Sequence, residues 1–216
     1  MLKTSVLVIG LGRFGASAAR ELMSLGHEVL AVDSNESTIN EIASEVTHAL
    51  QLDAADEAAL RAIGAGEFDH AIVAISSAVE ASVFATMSLK TLGVSNVIAK
   101  AGSELHGQIL RRVGADRVVY AEREMGQRVA HSFAVSDVVD YLDVAPRFGI
   151  MKVRPPQGWH GRTLKDLDLS GRLQLTPVAL RRGDAVTVNP SRDETIATGD
   201  ELILIGRDDR LEELAG

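Results

Sequence analysis

The sequence predicts an α/β protein: a doubly wound parallel sheet followed by a small C-terminal α+β domain. Three observations carry that prediction. Apolar runs alternate with amphipathic stretches through the first half of the chain. Most of those runs are continuous in Val, Ile, Leu and Ala, as expected of strands buried on both faces. After Pro146 the texture changes to short strands separated by turn residues.

The first strand is expected over 5–9, where Val6-Leu7-Val8-Ile9 runs into glycines, and a helix over 14–25 follows. A second apolar run predicts a strand over 28–32, then a helix over 36–44. The pattern repeats with strands over 47–50, 71–75, 96–100 and 117–120, and helices over 56–63, 79–92 and 104–112. Six strands with intervening helices make a doubly wound sheet, whose ligands bind at the C-terminal ends of the strands. The helix over 79–92 is apolar on more than one face. Part of it covers the sheet, and the rest suits either a subunit contact or burial within one subunit. Another helix is expected over 121–134, then an acidic stretch over 135–145 with Asp137, Asp140 and Asp143, ended by Pro146.

Beyond it a strand is expected over 148–153, and Pro155-Pro156-Gln157-Gly158 reads as a turn. A short helix over 163–169 opens on Thr163 as its cap. Strands over 176–180 and 185–188 flank Arg181-Arg182-Gly183-Asp184 as a hairpin. Gly199-Asp200 turns into a strand over 201–205, and 208–214 forms a last short helix. The expected organisation is an N-terminal domain with its crossover helix over 1–136, a hinge or linker over 137–147, and a C-terminal domain over 148–216.

The most informative segment is Val6-Leu7-Val8-Ile9-Gly10-Leu11-Gly12-Arg13-Phe14-Gly15, followed by Val29-Leu30-Ala31-Val32-Asp33. An apolar strand entering Gly-x-Gly-x-x-Gly, with an acidic residue ending the next strand, is the fingerprint of a Rossmann-like βαβ unit. Gly10 permits the tight turn, Gly12 lets a pyrophosphate approach the backbone, and Gly15 lets helix and sheet pack closely. The helix N-terminus offers free N–H groups and partial positive charge to phosphates. Asp33 is placed to accept hydrogen bonds from ribose hydroxyls, or to cap the helix beyond Ser34 and Asn35.

Composition narrows the rest. The chain has 216 residues, 46% hydrophobic and only 4% aromatic, so its core is expected to be aliphatic. A net charge of −8 argues against nucleic-acid binding, which needs a basic face. With no cysteine there is no disulfide, thiolate metal site or cysteine nucleophile. Six scattered histidines show no metal-ligand spacing, and no Gly-x-Ser-x-Gly elbow or P-loop is present. An enzyme is not expected. The remaining rival of that class, an NAD-dependent oxidoreductase, lacks a substrate domain of normal size. The N-terminus enters the first strand without a secretory pattern, and no apolar run is long enough to span a bilayer, so a cytoplasmic location is expected.

Val8 to Gly15, Gly26-His27-Glu28-Val29-Leu30-Ala31-Val32-Asp33 and Val73-Ala74-Ile75 together carry a resemblance, continued by Gly114-Ala115-Asp116-Arg117-Val118-Val119 and Ala121-Glu122-Arg123-Glu124-Met125-Gly126. The chain resembles the RCK domain in its TrkA-N plus TrkA-C arrangement, as in the cytosolic subunit of a Ktr or Trk potassium-uptake system. The resemblance implies a non-enzymatic regulator that binds ATP or ADP, with NAD(H) as the alternative, and assembles through dimers into an octameric ring. It also implies a membrane potassium-translocating partner, holding the chain at the inner face of the membrane, and cyclic di-AMP as a possible ligand of the C-terminal domain.

Within that frame the candidate binding residues are Gly10, Gly12, Arg13, Phe14, Gly15, Asp33, Ser34, Asp53, Ala54, Ala74, Ile75, Ser76, Lys100 and Glu122. The family pattern gives Arg13 a role in separating ATP from ADP; a solvated arginine on the first helical turn is the plain alternative. Asp53 and Ala54 border the adenine, or Asp53 caps the next helix. Ala74, Ile75 and Ser76 let the ligand approach, or simply suit a tight turn. Lys100 offsets phosphate charge or is solvated at a strand end. Glu122 is the implied ligand of Mg²⁺ or Ca²⁺ beside the outer phosphates; otherwise Glu122 and Glu124 favour a helix N-terminus. Arg181, Arg182, Asn189, Pro190 and Arg192 around the C-terminal hairpin either serve an anionic ligand or are simply solvated.

Overall fold

The computed structural model describes residues 4–134 and 138–214. The chain divides into two compact units, Met1–Glu122 and Arg123–Gly216.

In the first unit β1 (Ser5–Ile9), α1 (Arg13–Ser24), β2 (Glu28–Asp33), α2 (Glu36–Ile42), β3 (His48–Gln51) and α3 (Glu57–Ala62) form one half. The other half is β4 (His70–Val73), α4 (Val79–Thr91), β5 (Asn96–Lys100), α5 (Glu104–Arg112) and β6 (Arg117–Val119), followed by α6 (Ala121–Ala134). The six parallel strands lie in the order β3-β2-β1-β4-β5-β6. This is the predicted Rossmann-like sheet. Its strands are apolar throughout because both faces are covered. Leu7, Ile9 and Val32 belong to one core cluster, while Val6, Val8, Val29 and Ala31 belong to another, the two faces that alternation in a strand creates. The order reverses between β1 and β4, which places the loops after these strands at the switch point.

The second unit takes in α6 from Arg123 onward, then β7 (Val138–Ala145), β8 (Phe148–Val153), α7 (Leu164–Leu167), β9 (Thr176–Arg182), β10 (Ala185–Val188), β11 (Glu201–Arg207) and α8 (Asp208–Glu213). Its strands pair antiparallel in the order β10-β9-β11-β8-β7. One face is buried: Met151, Val153, Leu180, Leu202 and Leu204 join Leu164, Leu167, Ile196 and Leu211 in a single cluster, as an antiparallel sheet allows. Thr163 caps α7 in a full capping box with Asp166, as its position predicted. Most of the stretch expected as a linker over 137–147 is strand β7, paired with β8. An edge strand tolerates the charges that made it read as a connection. Asp137 lies outside the described residues.

The hairpin arginines are engaged. Arg182 donates through Nε and Nη2 to Asp200, both at 2.8 Å, and Arg181 pairs with Glu201 at 3.1 Å. Asp200 is only 1% exposed and also accepts from the Ala197 N–H at 2.8 Å. Arg182→Ala leaves that buried carboxylate held by the Ala197 N–H without its cation, so the second unit is expected to be destabilised. The Arg182 hydrogen bonds hold the Asp200 carboxyl below the usual range. A lowered folded value stabilises above the unfolded value, about 3.9, and the contribution disappears as pH falls through the folded value. Denaturant titrations at several pH values check this. Arg182→Ala should cost most at neutral pH and progressively less in acid; a uniform loss would argue against the carboxylate.

Candidate functional site

The glycine segment occupies the turn between β1 and α1. Gly10 adopts a left-handed φ of +89° and donates its N–H to the Val32 carbonyl at 2.8 Å. A Cβ on Gly10 would press on Ile75 at 2.9 Å. A Cβ on Gly15 would meet the Gly10 carbonyl oxygen and the Ala74 methyl. Ala74 donates its N–H to the Ile9 carbonyl at 2.7 Å. The loops after β1 and β4 therefore touch at the switch point, and small residues are what let them.

Gly12 is the N-cap of α1 and supplies no side-chain cap, and the first turn of α1 carries no acidic residue. Helix α4 also lacks a side-chain cap but carries Glu80 in its first turn, and the remaining α-helices between the strands differ on both counts. Asn35, Asp56 and Ser103 cap α2, α3 and α5 through their side chains, and Glu36, Glu57 and Glu104 sit in the first turns. The first-turn amides of α1 and the positive end of its dipole thus remain available to an anion. A Cβ placed on Gly12 would meet nothing within 4 Å, so the space beside that backbone is open.

Asp33 ends β2 against the glycine turn. One carboxylate oxygen accepts from the Leu11 N–H at 2.6 Å and the other from the Asn35 N–H at 2.9 Å. Asn35, not Asp33, caps α2 by accepting from the Ser37 N–H at 2.9 Å, which removes the capping alternative for Asp33. Each oxygen keeps acceptor capacity for a ribose hydroxyl. Ser34 is exposed beside it, its carbonyl accepting from Gln51 at 3.0 Å. Asp53 is likewise not the cap of α3, a role taken by Asp56; it accepts from the Ala55 N–H at 3.0 Å in the loop after β3. Ala54 is 5% exposed in the core cluster that includes Val32 and Leu60, so its side chain serves packing. Ile75 and Ser76 are half-buried after β4.

Lys100 ends β5 and is not solvated. It is 7% exposed, and its Nζ lies 5.7 Å from the centroid of the Phe14 ring on the first turn of α1. The same Nζ donates to Glu122 Oε1 at 2.6 Å. That hydrogen bond above all, with a smaller contribution from the Arg13 charge, holds the Glu122 carboxyl below the usual range. Arg13, Phe14, Lys100 and Glu122 thus gather at the start of α1. Among the described residues no three His, Asp or Glu side chains converge as a metal site. A divalent cation at Glu122 would take its other ligands from phosphate oxygens and water. Among the histidines, His106 is 2% exposed; its Nδ1 accepts from the Gly102 N–H at 3.3 Å, and burial pushes its pKa down.

The caps of α2 and α3 and the Lys100–Glu122 pair were beyond sequence reasoning. The pair joins residues 22 positions apart. Only the neighbour relation of β5 and β6 brings the end of one beside the helix that follows the other.

An open glycine turn and an acidic strand end at the switch point of a parallel sheet define a Rossmann-like unit, here followed by a small antiparallel domain. The TrkA-N domain profile matches residues 6–121 and the TrkA-C domain profile residues 149–215, and the chain belongs to that family. It is 39% identical over 205 residues to the Ktr system potassium uptake protein C of Bacillus subtilis, covering 95% of this chain and 93% of that one. It is 35% identical to the Ktr system potassium uptake protein A of the same organism, covering 92% and 90%. A structure of the GsuK channel bound to NAD superposes with a TM-score of 0.69 at 19% identity, covering all of this chain and 40% of that one. That likeness concerns the fold. Among the described residues no helix is long and apolar enough to cross a membrane.

Proposed function

We propose that the chain is a nucleotide-sensing regulatory subunit of a membrane potassium-translocating system, and that its N-terminal unit binds ATP and ADP. The observation that carries the reading is the uncapped first turn of α1 with Arg13, Lys100 and Glu122 gathered beside it. Backbone amides hold the phosphates, Asp33 holds the ribose, and the charged group responds to the outer phosphates, with Mg²⁺ or Ca²⁺ shared between them and Glu122. The Ktr-system names of the relatives support the potassium partner, and with it a position at the inner face of the membrane. NAD(H) is the second reading, because Asp33 serves either ribose and the similarly folded channel was solved with NAD.

Exposed Val79, Phe84 and Met87 on α4 and Met125 and Val129 on α6 support self-association, here taken as dimers building an octameric ring. Helix α6 serves as the hinge between the domains expected over 1–136 and 148–216, since most of 137–147 is strand β7 of the C-terminal sheet. For a cyclic dinucleotide such as cyclic di-AMP, the C-terminal domain offers a cleft of about 370 Å³ lined by Leu164, Asp168, Leu169, Pro190 and Arg192. Arg181 and Arg182 are already paired and are not its anion ligands.

A ligand gates only by favouring one conformation over another. Asp33→Ala is expected to weaken ATP and ADP at least tenfold, about 1.4 kcal/mol. In cells lacking the native subunit but retaining the membrane partner, it should also remove nucleotide control of potassium uptake. Unchanged affinity and unchanged uptake would refute the site.

A further inference from the structure

The Lys100 ammonium is buried while its partner is not. The Lys100 side chain is 9% exposed and that of Glu122 is 68% exposed. A buried cation needs an anion beside it at all times, since an unpaired one is costly. An exposed carboxylate returns to water at little loss. The pair is therefore asymmetric: Lys100 cannot give up a counter-charge, but Glu122 can be replaced as that counter-charge. An ammonium has three donors, and Glu122 Oε1 takes one of them while the Phe14 ring covers a side of the group. Phe14 lies on the first turn of α1, the turn whose amides are uncapped. The group is thus poised beside the place where phosphates would lie.

We propose that a nucleotide's phosphates and Glu122 compete for the Lys100 ammonium, so that ligand binding releases the Glu122 carboxylate from the end of β5. This rests on the nucleotide reading above and specifies how the site responds. A phosphate arriving at Lys100 supplies the counter-charge, and its own negative charge repels the carboxylate. Glu122 stands in the first turn of α6, the helix by which the chain passes into the second unit. Exchange of partners at Lys100 frees a side-chain tie between β5 and α6, and that freed carboxylate becomes available to a cation.

The test is calorimetric binding of ATP, ADP and adenosine in chelator, so that no divalent cation bridges Glu122 to phosphate. Wild type is compared with Glu122→Gln, Lys100→Met, Lys100→Arg and the double variant Lys100→Met/Glu122→Gln. Glu122→Gln removes the competitor's charge and is expected to tighten ATP and ADP about five- to tenfold while leaving adenosine unchanged. Lys100→Met should weaken ATP and ADP, Lys100→Arg should retain most of the affinity, and Glu122→Gln should give no gain in the Lys100→Met background. Should Lys100→Met not fold, Glu122→Gln against adenosine decides alone. Unchanged or weaker ATP and ADP binding by Glu122→Gln overturns the competition, as does an equal gain without Lys100. If wild type binds ATP and ADP but the variants behave alike, only the competition fails. If wild type binds neither, the nucleotide reading fails and takes the competition with it.

Discussion

Gly12→Ala is expected to leave the fold intact and to abolish most nucleotide binding. Gly12 has φ −61° and ψ −177°, a conformation alanine adopts freely, and the added methyl meets nothing within 4 Å in the free chain. Stability should change by no more than about 0.5 kcal/mol. The same methyl, however, stands in the open space before the α1 amides, where a pyrophosphate would have to approach. Pushing the phosphates back forfeits charge-assisted bonds worth roughly 1.5–3 kcal/mol each, so affinity should fall about a hundredfold or more. Thermal unfolding paired with calorimetric titration separates the two effects. A variant that binds as wild type does would mean that phosphates do not lie against this backbone.

Gly15→Ala should behave in the opposite way. Here the new methyl runs into the Gly10 carbonyl oxygen, with the Ala74 methyl 3.0 Å away. The first obstacle is backbone at the turn between β1 and α1, so no rotamer change relieves it. The helix must move off the sheet, and the loss should be about 3 kcal/mol or more. For a unit of this size that lowers the midpoint of thermal unfolding by roughly 10 °C. Binding would fail as a consequence, because the amides of α1 move with the helix. A Gly15→Ala protein as stable as wild type would show that the close approach of turn and helix is not needed.

The two glycines illustrate what was legible in the sequence. Their spacing after an apolar run located the turn, and the structure assigns one to packing and the other to open space. Continuous apolar strands likewise identified the parallel sheet, because burial on both faces leaves no polar alternation to misread. The β7 strand was hidden by Asp140 and Asp143, since an edge strand carries charge that a central one could not. The place of Asp33 at the end of β2 was legible, but its engagement with Leu11 and the capping of α2 by Asn35 were not. Several short polar residues in a row offer equivalent caps, and only the backbone path chooses between them. Lys100 and Glu122 could be named singly, yet their pairing depends on strand order, which no local pattern encodes.

The central claim is that the N-terminal unit binds adenine nucleotides and reads their phosphates. Isothermal titration of ATP, ADP and NADH into the wild-type protein under one set of conditions is its most direct test. ATP and ADP are expected to bind at one site per chain, with affinities that differ from each other, and more tightly than NADH. Equal affinity for ATP and ADP, tighter binding of NADH, or no binding of any of the three would contradict it.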